Sequence, residues 1–83
     1  MAINVETTPN PRALKFTLDE AVGGPATYTD AGTADERISP ILEIDGVASV
    51  FMAANFVTVT RSEAATWDDL TDQIVAALTE TFG

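Results

Sequence analysis

The side chains able to do chemistry in this sequence are few, and their types narrow what that chemistry is. Neither histidine nor cysteine occurs among the 83 residues. The usual general base, the thiolate nucleophile and the ligands of most zinc and iron–sulfur sites are therefore missing. Ser39, Ser49 and Ser62 stand without a paired base, and no Gly-x-Ser-x-Gly elbow surrounds any of them. Gly23-Gly24 is too short for a phosphate loop, and no Lys-Ser/Thr comes after it. Asp35 and Glu36 form a carboxylate pair, but at a position that reads as a helix start. Asp68, Asp69 and Asp72 suit a hard cation by type, yet they lack the glycine turn of a calcium loop. Two of the three also sit where a helix dipole favours anions. The chain reads as a non-enzyme, with no cofactor and no metal site expected.

Two remaining groups read as contact surfaces. Pro9-Asn10-Pro11-Arg12 and the nearby Lys15 hold two of the 4 Lys+Arg, against 13 Asp+Glu in the whole chain. They make a local positive spot, although Pro-Asn-Pro also serves turn geometry and Lys15 also suits the solvent side of a strand. Phe51, Met52 and Phe56 flank a second turn. They belong to the core, or to an apolar interaction patch if one sheet face is left uncovered. The formal charge of −9 and a pI of about 4.1 argue against nucleic acid and anionic membranes. Both are bound mainly through Lys and Arg. A protein partner is the expectation.

These residues need elements to position them. Ile3–Thr7 alternates apolar and polar residues as a half-buried strand does, and Thr8-Pro9-Asn10-Pro11 stops it. Leu14, Phe16 and Leu18 alternate with Lys15 and Thr17 in a second strand, near enough to pair antiparallel with the first. Asp19–Gly32 is a loose region with Gly23-Gly24-Pro25 at its centre, and Ala26–Thr29 is a possible short edge strand inside it. Thr33, with Glu36 three residues on, predicts a capping box opening a helix that carries Ile38, Ile41 and Leu42. Pro40 must kink that helix or restart it with Ser39 as a new cap, and Asp45-Gly46 ends it. Val47–Met52 and Phe56–Thr60 read as strands joined by Ala53-Ala54-Asn55, with Asn55 suited to the left-handed position. Thr66 caps a last helix whose Trp67, Leu70, Ile74, Leu78 and Phe82 keep helical spacing. The order β-β-α-β-β-α predicts a single α+β domain over residues 1–83, a four-stranded and mainly antiparallel sheet with two helices on one face.

Glu6-Thr-Thr-Pro-Asn-Pro-Arg-Ala-Leu-Lys-Phe16 resembles the opening of the N-terminal domain of Nfu/NifU-type iron–sulfur scaffold proteins, Thr-Pro-Asn-Pro-x-x-Leu-Lys-Phe. Ile44-Asp-Gly-Val-Ala-Ser-Val-Phe51 and Asn55-Phe-Val-Thr-Val-Thr60 are similar to that family's second hairpin, and Trp67 falls at the opening of its last helix. The cluster-holding Cys-x-x-Cys of these scaffolds lies in a separate C-terminal domain, and no cysteine is present here. The resemblance thus implies a stand-alone copy of the non-cluster domain. Its role would be accessory: binding an iron–sulfur scaffold, carrier or recipient apoprotein without ligating a cluster. Pro9, Asn10, Arg12 and Lys15 are the expected contacts, with Phe51 and Phe56 beside them.

Two rival readings come from other classes. An acidic decoy or regulator of a basic partner predicts carboxylates on one face at about phosphate spacing. A carboxylate-based metal carrier predicts clustered acids. Met1–Glu6 has no basic region leading into an apolar run, and Gly46–Thr60 is too short to span a bilayer. A cytoplasmic monomer is expected.

Overall fold

In the computed structural model, which describes residues 3–82, the alternating segment before the prolines forms β1 (Asn4–Thr7). The Leu-Lys-Phe segment forms β2 (Ala13–Thr17). They pair antiparallel as expected, with Val5 opposite Phe16 and Glu6 opposite Lys15. The possible edge strand is present as β3 (Ala26–Tyr28). The β-branched and aromatic runs form β4 (Val47–Ala53) and β5 (Phe56–Arg61), a hairpin around Ala54-Asn55. β3 lies antiparallel to β4. The sheet therefore has five strands, not four, in the order β1-β2-β5-β4-β3, and every pair is antiparallel.

Alternation along the strands separates two faces. Leu14 and Phe16 of β2, Val50 and Met52 of β4, and Val57 and Val59 of β5 point to one side and are buried. Two helices close that side. In α2 (Trp67–Phe82), Leu70, Ile74 and Leu78 recur every fourth residue and are fully buried against the sheet. Each such side chain contributes about 1.5–3 kcal/mol by leaving water. Thr66 does open α2, but its hydroxyl donates to the Asp69 carboxylate at 3.1 Å, while Asp69 N–H bonds the Thr66 carbonyl.

The first helix departs from expectation. Thr33 and Glu36 form no capping box, because the Thr33 hydroxyl donates to the Asp30 carbonyl. Asp35 organises the segment instead, its carboxylate accepting the Arg37 N–H at 2.9 Å. The helix itself is a single turn, α1 (Ser39–Leu42), with Pro40 in the first-turn position it tolerates. Ser39 does not cap it; Ile38 precedes it without a side-chain cap, and the Ser39 hydroxyl donates to the Ala31 carbonyl. Ile38 and Ile41 still reach the core, both fully buried.

Gly46 does not end the helix either. It lies beyond α1 with φ +102°, in the turn that delivers the chain into β4. A Cβ there would lie 2.8 Å from the Ala65 Cβ and 3.2 Å from the Leu70 Cδ2. The β4–β5 loop is likewise set by distant partners. Ala54 takes the left-handed conformation at φ 50°, while the Asn55 amide donates to the Leu18 carbonyl and the Asn55 carbonyl accepts from Leu18 N–H.

Candidate protein-interaction surface

The sheet face turned away from the helices is read from the register. One row runs Glu6, Lys15, Thr58, Phe51, Thr27 across all five strands. Beside it run Asn4, Thr17, Phe56, Ala53 on one flank and Ala13, Thr60, Ser49 on the other. Within these rows the Lys15 ammonium sits over the Phe56 ring, 4.6 Å from its centroid. The Phe56 and Phe51 rings meet at 6.1 Å between centroids, tilted by 43°. All three side chains are half-buried, held by one another rather than by a covering element among the described residues. A cation on an aromatic face is attracted by the ring quadrupole, about 0.5–1 kcal/mol at such a site.

Electrostatics sets this face apart. Glu6 is the one acid of the 13 that lies on a strand; the others occupy loops and α2. The carboxylates are thus spread over several loops and α2 rather than gathered on the sheet. No group of three acids is close enough to hold a metal ion among the described residues.

The cations divide in the same way. Arg12 pairs with Glu63 at 3.2 Å. Arg37 binds Asp35 at 3.1 Å, donates to the Val22 carbonyl at 2.8 Å and lies over Phe82. Its side-chain and backbone hydrogen bonds hold the Asp35 carboxyl below the ordinary range. Arg61 donates to the Ser62 and Ala65 carbonyls. Among the described residues, Lys15 is the side-chain cation that forms neither an ion pair nor a hydrogen bond with the protein.

The residues selected from sequence are thereby split. Lys15, Phe51 and Phe56 come together, while Met52 joins the core at 4% exposure. Pro9, Asn10 and Arg12 lie in the turn at the other end of β2, about 10 Å away along the strand from Arg12 to Lys15. The Asn10 side chain is engaged internally, accepting the Arg12 N–H at 3.0 Å. The Thr8 hydroxyl bonds the Asn10 and Ala13 carbonyls, and Trp67 Nε1 donates to the Pro11 carbonyl at 3.2 Å. The Pro-Asn-Pro turn is thus a latch between the first hairpin and the start of α2. Sequence reasoning misses the hydroxyl rows of Thr17, Thr58 and Thr60, although their alternation with Phe16, Val57 and Val59 carries the signal. An open depression of about 390 Å³ lies beside Gly46, Ser62 and Leu70, with the Asp45 and Asp69 carboxylates in its wall.

Comparison with known proteins agrees with this geometry. The model of the scaffold protein Nfu/NifU N-terminal family matches residues 3–83. The NFU1 iron-sulfur cluster scaffold homolog, mitochondrial, of Drosophila willistoni is 33% identical over 87 residues, covering 99% of this chain and 30% of that protein. NifU-like protein 5, mitochondrial, of Arabidopsis thaliana is 38% identical over 82 residues, covering 94% and 30%. The chain spans about 30% of the length of these curated relatives. Among solved structures, protein SAV1430 of Staphylococcus aureus superposes with a TM-score of 0.79 at 31% identity, covering 93% of this chain and 98% of that one. The NifU-like protein of Saccharomyces cerevisiae shares the fold, with a TM-score of 0.79 at 23% identity over 96% of this chain and 76% of that one. The chain belongs to the family of N-terminal domains of Nfu/NifU scaffold proteins, a family associated with iron–sulfur cluster assembly.

Proposed function

We propose that this chain serves iron–sulfur cluster assembly as a protein-binding domain, without catalysis and without ligating a cluster itself. Its partner is a scaffold, carrier or recipient apoprotein of that process, and the contact surface is the uncovered sheet face around Lys15, Phe56 and Phe51. One observation carries the reading. In a chain of charge −9, this face gathers two half-buried rings and a cation without a hydrogen-bond partner, and holds a single acid. Paired rings beside a cation are the kind of anchor that dominates protein interfaces. The absence of cysteine and histidine from these residues supports a role beside the cluster, since thiolate and imidazole are its usual ligands.

The test is anaerobic affinity capture from a lysate of the source organism, comparing the wild-type chain with Lys15→Glu, Phe56→Ala and Arg12→Glu. Enrichment of iron–sulfur assembly proteins by the wild type, lost in the first two variants and kept in Arg12→Glu, is the expected result. Loss in Arg12→Glu alone moves the contact to the turn. Equal capture by all four refutes both surfaces.

A further inference from the structure

Two strands border the sheet, and they are protected unequally. β3 is three residues long and directly follows Pro25, while Gly24 packs its backbone against the Met52 carbonyl. Shortness and proline are common means of blunting a sheet edge. β1 is one residue longer, and the residue before it is Ile3 rather than a proline. Asn4–Thr7 is exposed at all four positions and contains no proline, and among the described residues no strand pairs with its outer side. An antiparallel edge leaves alternate residues with N–H and C=O directed outward, so β1 presents unpaired backbone groups along its length.

The side chains there have a definite pattern. Val5, 43% exposed, is the exposed large hydrophobic residue of the described chain, and it shares the helix-side face with its partner Phe16. Glu6 belongs to the opposite face, across from Lys15. The two form no ion pair, because the Lys15 ammonium sits over Phe56 on the β5 side. Glu6 accepts a hydrogen bond of 3.3 Å from the Thr17 hydroxyl and has no ion-pair partner among the described residues.

The geometry points to β1 as a strand-addition site for an extended basic segment of a protein partner. Backbone pairing along Asn4–Thr7 supplies the sequence-independent contact, an apolar residue lies beside Val5, and a lysine or arginine lies beside Glu6. Charge selects this occupant over a second copy of the chain. Two chains of −9 repel, and in no register does a second β1 bring a cation to Glu6, since Asn4–Thr7 holds none. In strand addition, main-chain bonds supply affinity and alternate side chains supply specificity. This site does not depend on the face around Phe51 and Phe56.

The experiment titrates the isotope-labelled full chain with the peptide Thr-Val-Lys-Val-Lys-Thr, and separately with Thr-Val-Glu-Val-Glu-Thr, while recording amide shifts. Saturable shifts centred on residues 4–7, with slowed amide exchange there and preference for the lysine peptide, are expected. Glu6→Lys is expected to weaken the lysine peptide about tenfold and to reverse the preference, as for a close interfacial charge pair. Val5→Thr retains strand propensity and is expected to weaken both peptides. The proposal is overturned by absence of saturable shifts, or by shifts spread over Asp68, Asp72 and Glu80 of α2. An unchanged affinity in Glu6→Lys, or self-association of the free chain through residues 4–7, also overturns it. Shifts confined to Phe51 and Phe56 overturn this site while supporting the sheet-face reading.

Discussion

Replacing Gly46 by alanine is predicted to remove a large part of the stability of this domain. The backbone at Gly46 has φ +102°, outside the region that L-residues favour. Forcing a side chain into such a left-sided conformation costs about 1–2 kcal/mol. The added methyl would also lie 2.8 Å from the Ala65 Cβ, where carbon atoms normally rest about 3.5–4.0 Å apart. The Ala65 methyl has no rotamer to change, so its backbone must move. That backbone is held: Ala65 N–H bonds the Ser62 carbonyl, Ser62 N–H bonds the Gly46 carbonyl, and Arg61 donates to the Ala65 carbonyl. Overpacking of this kind costs about 1–3 kcal/mol, for a total of about 2–5 kcal/mol. A domain of this length has about 4–12 kcal/mol in all. Urea unfolding followed by the fluorescence of Trp67, the one tryptophan, reads the loss. With a slope of about 1 kcal/mol per molar, the midpoint should fall by about 2 M or more. Gly32→Ala is the control, because its Cβ would meet only Asp30, with Oδ1 at 3.4 Å. A Gly46→Ala midpoint no lower than that of Gly32→Ala would refute the reasoning.

Other outcomes rest on the same geometry. Ala54→Gly relieves a left-handed alanine at φ 50°. Subtracting the added chain entropy leaves a gain of about 0.5–1 kcal/mol, a rise in thermal midpoint of about 2–8 °C; a fall would show that the methyl packs usefully. Asp35 has its pKa lowered by Arg37, so its stabilisation is complete above the ordinary carboxylate range and is lost as pH falls through the lowered value. Asp35→Asn should therefore cost about 0.5 kcal/mol near neutral pH, discounted for exposure, with the difference vanishing in strong acid. Denaturant titrations across that pH range check this, and a difference independent of pH contradicts it.

Local signals in the sequence locate most elements, and long-range contacts account for what they miss. The spacing of Leu70, Ile74 and Leu78 marks α2 because one helix face is buried along its length. The two hairpins are likewise local, each bounded by turn residues. The first helix is shorter than its capping pattern predicts, because the Thr33/Glu36 pair meets competing side-chain bonds from Asp35 and a proline at position 40. Gly46 reads as a helix stop, whereas its necessity comes from Ala65 and Leu70 some twenty residues on. Asn55 suits the left-handed position by type. Its amide instead reaches Leu18, and Ala54 carries the turn. For the candidate surface, Lys15, Phe51 and Phe56 are legible one by one. Their juxtaposition depends on the β2–β5–β4 register, which no single segment encodes.

The position of β5 between β2 and β4 constrains how the chain folds. Its pairing with β2 joins Phe16 to Val57 and Leu14 to Val59. The middle of the sheet is thus closed by residues far apart in sequence, which slows folding relative to a fold made of neighbouring contacts. During synthesis β2 emerges some forty residues before β5, the strand that pairs with its inner edge in the finished sheet. The central pairing of the sheet therefore waits on the later half of the chain, and the first hairpin has only its own β1 to pair with until then.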